Sequence, residues 1–264
     1  MNLEGQTAIV TGAGRGIGKG CAIELARNGA DIVLNDRIGS PDLQPTAEEI
    51  RGLGRECHLI EADVFSREGC EQLVSEALYV TSRIDILISN PAFSRRGAFL
   101  DFPPELFEAV INGTLTSGYH MSQLVARHMV DQNIPGKIVF ISSVQAEMPI
   151  ALCFAYGAAK AGLNHMARSI AVELVPHRIN VNVIEPGWID TPGEHVTFSD
   201  ETIESEGKKL PWGRLGLPDD VGKAAVFLAS ADADYISGTV LPVDGLYRYG
   251  HCMSEKLRPM KDHQ

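Results

Sequence analysis

The stretch Thr11-Gly12-Ala13-Gly14-Arg15-Gly16-Ile17-Gly18 follows the apolar run Thr7-Ala8-Ile9-Val10 and opens into a helical pattern that reaches Asn28. A glycine-rich turn between strand and helix lets main-chain N–H groups approach a pyrophosphate, whose charge the helix N-terminus favours. A P-loop would need glycine at position 13 and Ser or Thr at position 20, where Ala13 and Gly20 stand. The G-x-G-x-x-G spacing fails as well, because Gly12 and Gly14 would require glycine in place of Ile17. What fits is T-G-x-x-x-G-x-G on Thr11, Gly12, Gly16 and Gly18; it is either a nucleotide-binding turn or a tight strand-to-helix turn with no ligand.

Around this turn, short β-branched runs alternate with longer amphipathic segments. Strands are predicted at 8–10, 31–35, 58–62, 84–89, 137–142, 178–184 and 238–243, and helices at 16–28, 43–54, 67–81, 104–132, 155–175 and 218–229. Continuous apolar strands separated by helices belong to a parallel sheet covered on both faces, so the expected class is α/β, a single Rossmann-type doubly wound domain with a seven-stranded parallel sheet. No repeat or low-complexity tract divides the chain. The dinucleotide-binding domain is expected over 1–249, with loops at 39–45 and 193–211, the second a substrate lid, and a polar tail over 250–264.

The 264 residues, 44% hydrophobic, can bury a large core. A formal net charge of −11 argues against a broad nucleic-acid or anionic-membrane surface, so neither partner is expected. Five cysteines with no C-x-x-C cannot all pair within one chain, which suggests a reduced compartment and gives no metal-site candidate. The N-terminus has no basic segment followed by an apolar core, and no apolar run reaches membrane-spanning length; the expected location is cytoplasmic.

In a doubly wound sheet, ligands bind beyond the carboxyl ends of the strands. Asp36 closes the second strand, 24 residues after Gly12, about where an acidic residue meets the adenosine ribose of NAD; alternatively it is a solvated turn residue or an ion-pair partner of Arg15 or Arg37. Those two arginines could instead pair with the 2′-phosphate of NADP, so NAD is expected with NADP possible. Asp63, followed by Val64, could accept a hydrogen bond from adenine or serve as a helix N-cap. Tyr156-x-x-x-Lys160 puts a phenol and an ammonium on one helix face, where the cation would lower a phenol pKa of about 10. Lys160 is then the tuner, Tyr156 the acid/base, and Ser143, closing the fifth strand, a hydrogen-bond donor to the substrate oxygen. An isolated Tyr-x-x-x-Lys is ordinarily an exposed helix pair, and the combination sets this one apart.

Taken together, the chain resembles the short-chain dehydrogenase/reductase family from about Gly5 to Tyr247, on the thirteen-residue Ser143 to Tyr156 spacing and the four-residue step to Lys160. The resemblance implies a tetrad completed by Asn112, which would hold a proton-relay water. It also implies hydride transfer between a carbinol carbon and nicotinamide, without a metal, and binding of the nicotinamide ribose by Lys160. Pro186-Gly187-Trp188-Ile189-Asp190-Thr191 corresponds to the family's Pro-Gly element, with the Ile189 backbone and Thr191 hydroxyl on the carboxamide. The family's Asn-Asn-Ala-Gly reads Ser89-Asn90-Pro91-Ala92, where only Asn90 persists among the cofactor contacts.

The pattern is similar to glucose 1-dehydrogenases and to 3-oxoacyl carrier-protein reductases, so a small carbonyl or alcohol substrate is expected but not its identity. Candidates for the pocket are Phe93, Met148, Phe154 and Trp188, with Gln145, Ser94, Arg95 and Arg96 as polar members. A non-catalytic nucleotide-binding regulatory protein is the alternative from another class. Family resemblance further implies a homotetramer paired through helices 104–132 and 155–175, with the tail after Gly250 reaching a neighbour.

Overall fold

In the computed structural model, which describes residues 1–253, seven strands form one parallel sheet in the order β3-β2-β1-β4-β5-β6-β7. They are β1 (Thr7–Val10), β2 (Asp31–Asp36), β3 (Cys57–Glu61), β4 (Ile86–Ser89), β5 (Lys137–Ile141), β6 (Asn180–Pro186) and β7 (Val240–Val243). All seven predicted strands form, with ends shifted by at most two residues. Helices α1 (Gly16–Arg27), α2 (Leu43–Gly52) and α9 (Pro218–Ala229) cover one face. The other carries α3 (Arg67–Thr81), α4 (Pro104–Ile111), α5 (Ser117–Asp131) and α6 (Phe154–Leu174).

Successive side chains on a strand point to opposite faces, and here both faces are dry. Val10, Leu34, Ile88 and Ile141 pack with Leu25 and Val226 on one side; Ile9, Val33, Leu87 and Phe140 pack with Leu73, Val125 and Leu163 on the other. Truncating fully buried Phe140 to alanine would cost about 3–5 kcal/mol. Gly20 is needed where α1 crosses α9: a Cβ there would lie 2.6 Å from Pro218.

The register Val10↔Leu34 and Val10↔Ile88 brings the carboxyl ends of β2, β1 and β4 to one edge. Strand order reverses direction between β1 and β4, and the crevice opens there.

Local details differ from the expectations. The predicted loop 193–211 contains α7 (Pro192–Thr197) and α8 (Asp200–Gly207), the second capped by Ser199, whose Oγ accepts from Thr202 N at 3.2 Å. Its Ser-Asp-Glu start is an ordinary N-terminal signal. Where the expected loop 39–45 overlaps the helix expected from 43, the helix holds: α2 begins at Leu43, with Pro45 tolerated in its first turn. The helix predicted over 104–132 is interrupted by a π-turn, Asn112–Thr116, between α4 and α5. Of the predicted tail, residues up to Cys252 form a 3₁₀ helix, Tyr247–Cys252, and 254–264 lie outside the described residues. Among the described residues no helix is long and apolar enough to cross a membrane.

Candidate active site

A cavity of about 500 Å³ lies along the strand ends, and most of the expected cofactor residues line it: Gly12, Arg15, Gly16, Ile17, Asp36, Arg37, Asp63, Val64, Asn90, Tyr156, Lys160 and Thr191. Gly12 and Gly16 have φ of +60° and +57°, a conformation that glycine adopts without strain. Gly18 is buried beneath the turn, where a Cβ would collide with the Gly12 carbonyl. At the start of α1, Arg15 makes no capping bond and the first turn holds no acidic residue. The first N–H groups of that helix therefore remain available to an anion. Asn35, in the same wall, has a buried Oδ1 without a protein partner. Uncapped donors at one end and an orphan acceptor further along fit a dinucleotide laid across the crevice.

Asp36 sits at the far end. Its Oδ1 accepts from Arg37 N at 2.8 Å and its Oδ2 from Ser40 Oγ at 2.9 Å. Neither arginine forms an ion pair with it: Arg15 Nε lies 3.8 Å from Asp42 Oδ2, and Asp42 also lines the cavity. Asp63 Oδ1 accepts from Phe65 N at 3.0 Å, while the N-cap of α3 is Ser66, not Asp63. Asn90 ties β4 to the glycine turn, donating from Nδ2 to the carbonyls of Thr11 and Gly12 at 3.3 and 3.2 Å. The Pro91-Ala92 departure leaves these bonds in place.

A second cavity, about 290 Å³, adjoins the first, and Ile17, Ser142, Tyr156 and Thr191 line both. Ser143 closes β5 and enters a 3₁₀ turn, its Oγ accepting from Gln145 N at 3.2 Å. Tyr156, in the first turn of α6, is half-buried; burial pushes its phenol up to about 12, and hydrogen bonding with Ser143 opposes the rise. Lys160 is 1% exposed, and burial pushes its amine down to about 7. Its Nζ donates to the Ile141 carbonyl at 2.7 Å and lies 5.5 Å from the Tyr156 ring centroid. The pair thus shares a helix face as expected, but the phenol is displaced upward rather than downward. Asn112 opens the π-turn and donates from Nδ2 to the Phe65 carbonyl at 2.9 Å; it does not line either cavity.

Pro186, Gly187 and Ile189 line the second cavity rather than the first. Of the pocket candidates, Trp188, Gln145 and Arg96 line it as well. Phe154 instead packs with Phe99, Phe102 and Phe107, Arg95 stacks on Phe93 at 4.4 Å, and Met148 and Ser94 lie outside the cavity. Glu194, Phe198 and Tyr247 complete the wall and were not found from sequence, which gives no local motif for them. Trp188 Nε1 donates to Glu194 Oε2 at 2.8 Å, fastening α7 over the cavity. Behind the wall, buried Arg248 meets Glu185, Asp244 and Glu147 at 2.6, 2.9 and 2.8 Å.

Residues 12–247 match the family model described as enoyl-(acyl carrier protein) reductase. The chain is 36% identical to 2-dehydro-3-deoxy-D-gluconate 5-dehydrogenase of Escherichia coli (strain K12), with 93% of this chain and 96% of that protein covered. It is 37% identical to L-rhamnose 1-dehydrogenase (NAD(P)(+)) of Azotobacter vinelandii, covering 93% and 97%. A solved 7 alpha-hydroxysteroid dehydrogenase complexed with NADH and 7-oxo glycochenodeoxycholic acid superposes with a TM-score of 0.87 at 34% identity, over 92% of this chain and 94% of that one. The chain belongs to the short-chain dehydrogenase/reductase family and is an NAD(P)-dependent oxidoreductase acting on CH–OH groups.

Proposed function

We propose that Tyr156 moves the proton in a hydride transfer between a secondary alcohol or ketone, sugar hydroxyls included, and the nicotinamide cofactor. The observation that carries this reading is the position of Tyr156: it is the titratable side chain common to both cavities. When bound, the cofactor supplies or accepts the hydride. A phenol pushed up to about 12 keeps its proton at neutral pH, ready to give it to a carbonyl oxygen as negative charge develops there. Ser143 donates a hydrogen bond to that oxygen and strengthens it as charge accumulates. In the oxidative direction the phenol must lose its proton, and Lys160, one turn away, favours the phenolate in its protonated form. Lys160 also holds the nicotinamide ribose. Asn112, in the π-turn that packs on α6, holds the relay water; π-turns recur at functional sites.

Asp36 reads the adenosine ribose, and NAD is the preferred cofactor. Two carboxylates, Asp36 and Asp42, occupy that end of the cavity, and Arg15 is drawn to the second, which leaves Arg37 alone to meet a 2′-phosphate. Thr191 and the Ile189 backbone hold the carboxamide, and α7 with α8 acts as the lid. The enzyme works as a homotetramer in the reducing cytoplasm. Phe107, Tyr119 and Val172, exposed on α4, α5 and α6, support the first statement, and four buried unpaired cysteines support the second.

The test is turnover on a panel of sugars, sugar acids, secondary alcohols and 3-oxo thioesters with NAD(H) and NADP(H), in the parent and in Tyr156→Phe. Turnover that disappears in the variant while cofactor binding persists is the expected result; turnover that survives overturns the role of Tyr156. Sedimentation of the parent measures the assembly.

A further inference from the structure

Arg96, an exposed residue at the rim, is the one cation among the residues that line the second cavity, and no hydrogen bond or ion pair of its guanidinium is seen among the described residues. Its backbone is fixed nonetheless. The next residue, Gly97, donates from N to the Leu152 carbonyl at 3.0 Å, tying this loop to the segment that enters α6, four residues before Tyr156. The guanidinium stands 5.8 Å from the Phe198 ring centroid, so the lid side of the cavity holds it over an apolar face. An arginine presents five donors in a rigid fork that matches a carboxylate. The remaining polar groups suit hydroxyls. Glu194 commits one oxygen to Trp188 and leaves the other without a partner among the described residues, and Gln145 has a buried Oε1 that nothing satisfies. A volume of about 290 Å³ lies at the small end of the ligand range of roughly 300–1,000 Å³.

We infer that the substrate is a small polyhydroxylated acid, an aldonic or keto-aldonic acid, whose carboxylate is gripped by Arg96 and whose hydroxyls meet Glu194 and Gln145 while the reacting carbon faces Tyr156. This rests on the dehydrogenase reading above and extends it to the charge of the substrate. The two curated relatives divide on this feature, one being named for a keto sugar acid and the other for a neutral sugar. An acid seated this way brings its charge toward Glu194, and the fork at Arg96 must lie nearer the carboxylate for binding to be favourable. That requirement makes the inference sensitive to one residue.

The experiment compares kcat/KM for D-gluconate and 2-dehydro-3-deoxy-D-gluconate with that for the neutral D-glucitol and L-rhamnose, in the parent, Arg96→Gln and Arg96→Lys. The parent should prefer an acid by tenfold or more. Arg96→Gln should lose about 10–100-fold on the acid, mostly through KM, as expected for a charge-assisted pair of roughly 1.5–3 kcal/mol. Its loss on a neutral compound should be at least tenfold smaller, and Arg96→Lys should recover part of the acid activity. Equal losses on acid and neutral substrates, or a parent that prefers the neutral ones, overturn the inference and leave the dehydrogenase reading standing. Absence of turnover on every alcohol and carbonyl offered overturns both.

Discussion

The two cavities meet at Tyr156 but are made of different material. The larger cavity gathers a glycine turn, an uncapped helix and the ends of five adjacent strands, much of it within the first ninety residues. The smaller cavity draws its lining from residues spread between Ile17 and Tyr247, with the Trp188–Glu194 bond at its rim and the ion cluster around Arg248 behind it. Backbone geometry is fixed by hydrogen bonding and tolerates changes of side chain, whereas a wall of side chains changes with each substitution. One fold can therefore keep its cofactor while its substrate drifts.

The sharpest way to separate the cavities is Tyr156→Phe, which removes a transferable proton and little volume. Turnover should fall about 10²–10⁴-fold with cofactor affinity nearly unchanged, read by steady-state kinetics beside fluorescence titration of NADH. A parallel loss of cofactor affinity would show that the cavities are not separable at their junction.

Arg248→Met comes next. It leaves Glu185, wholly buried, facing Asn164 alone, and stability should drop by about 3–5 kcal/mol in urea unfolding. Because Arg248 adjoins Tyr247 in the wall, substrate KM should rise in the folded variant while the dissociation constant for NADH stays put. Weakened cofactor binding with an unchanged KM would invert the comparison.

Asp36→Ala probes the cofactor side. The ratio of kcat/KM for NADP(H) over NAD(H) should rise about tenfold to a hundredfold, in line with roughly 1.5–3 kcal/mol for hydrogen bonds to a charged group. A preference that does not move would leave Asp36 as a turn residue bonded to Ser40.

The smallest effect belongs to the lid. His195 in α7 lies 2.7 Å from Asp190 and 2.6 Å from Asp200, and hydrogen bonds to these two carboxylates raise its pKa above the ordinary value of 6.5. A raised pKa means that the protonated clip contributes fully below about pH 6.5 and is lost as pH rises through the higher folded value. Substrate KM should therefore increase with pH across that window, and His195→Gln should flatten the increase. An identical pH profile in the variant would remove the clip from lid closure.

Much of the fold was legible because its signals are local. Ile9-Val10, Ile32-Val33-Leu34 and Ile86-Leu87-Ile88 are short apolar runs that only a strand covered on both faces buries completely. Ser199-Asp200-Glu201 was equally local, and its helix was missed because glycine and proline around it read as loop. Phe154 failed as a pocket residue because its neighbours Phe99, Phe102 and Phe107 come from a different segment and draw it into an aromatic cluster. The expected lowering of the Tyr156 phenol failed for a related reason: burial dominates it. The i, i+4 spacing shows that the two groups share a face, but the burial that governs both pKa values comes from elements outside that helix.

By itself the sequence determined the parallel α/β class, the glycine turn, the candidate Ser143-Tyr156-Lys160 set and the acidic residue closing β2. The class, the turn and the Tyr156-Lys160 pair follow from hydrogen-bonding periodicity or from spacing along the chain, and the family resemblance adds Ser143 to the pair. Tertiary structure alone decided that Glu194, Phe198 and Tyr247 join Arg96 and Gln145 in one cavity, that Arg15 turns to Asp42, and that burial moves the phenol up and the amine down. Those outcomes depend on desolvation and on the gathering of distant residues, Arg96 and Tyr247 being 151 positions apart, and no spacing rule along the chain encodes them.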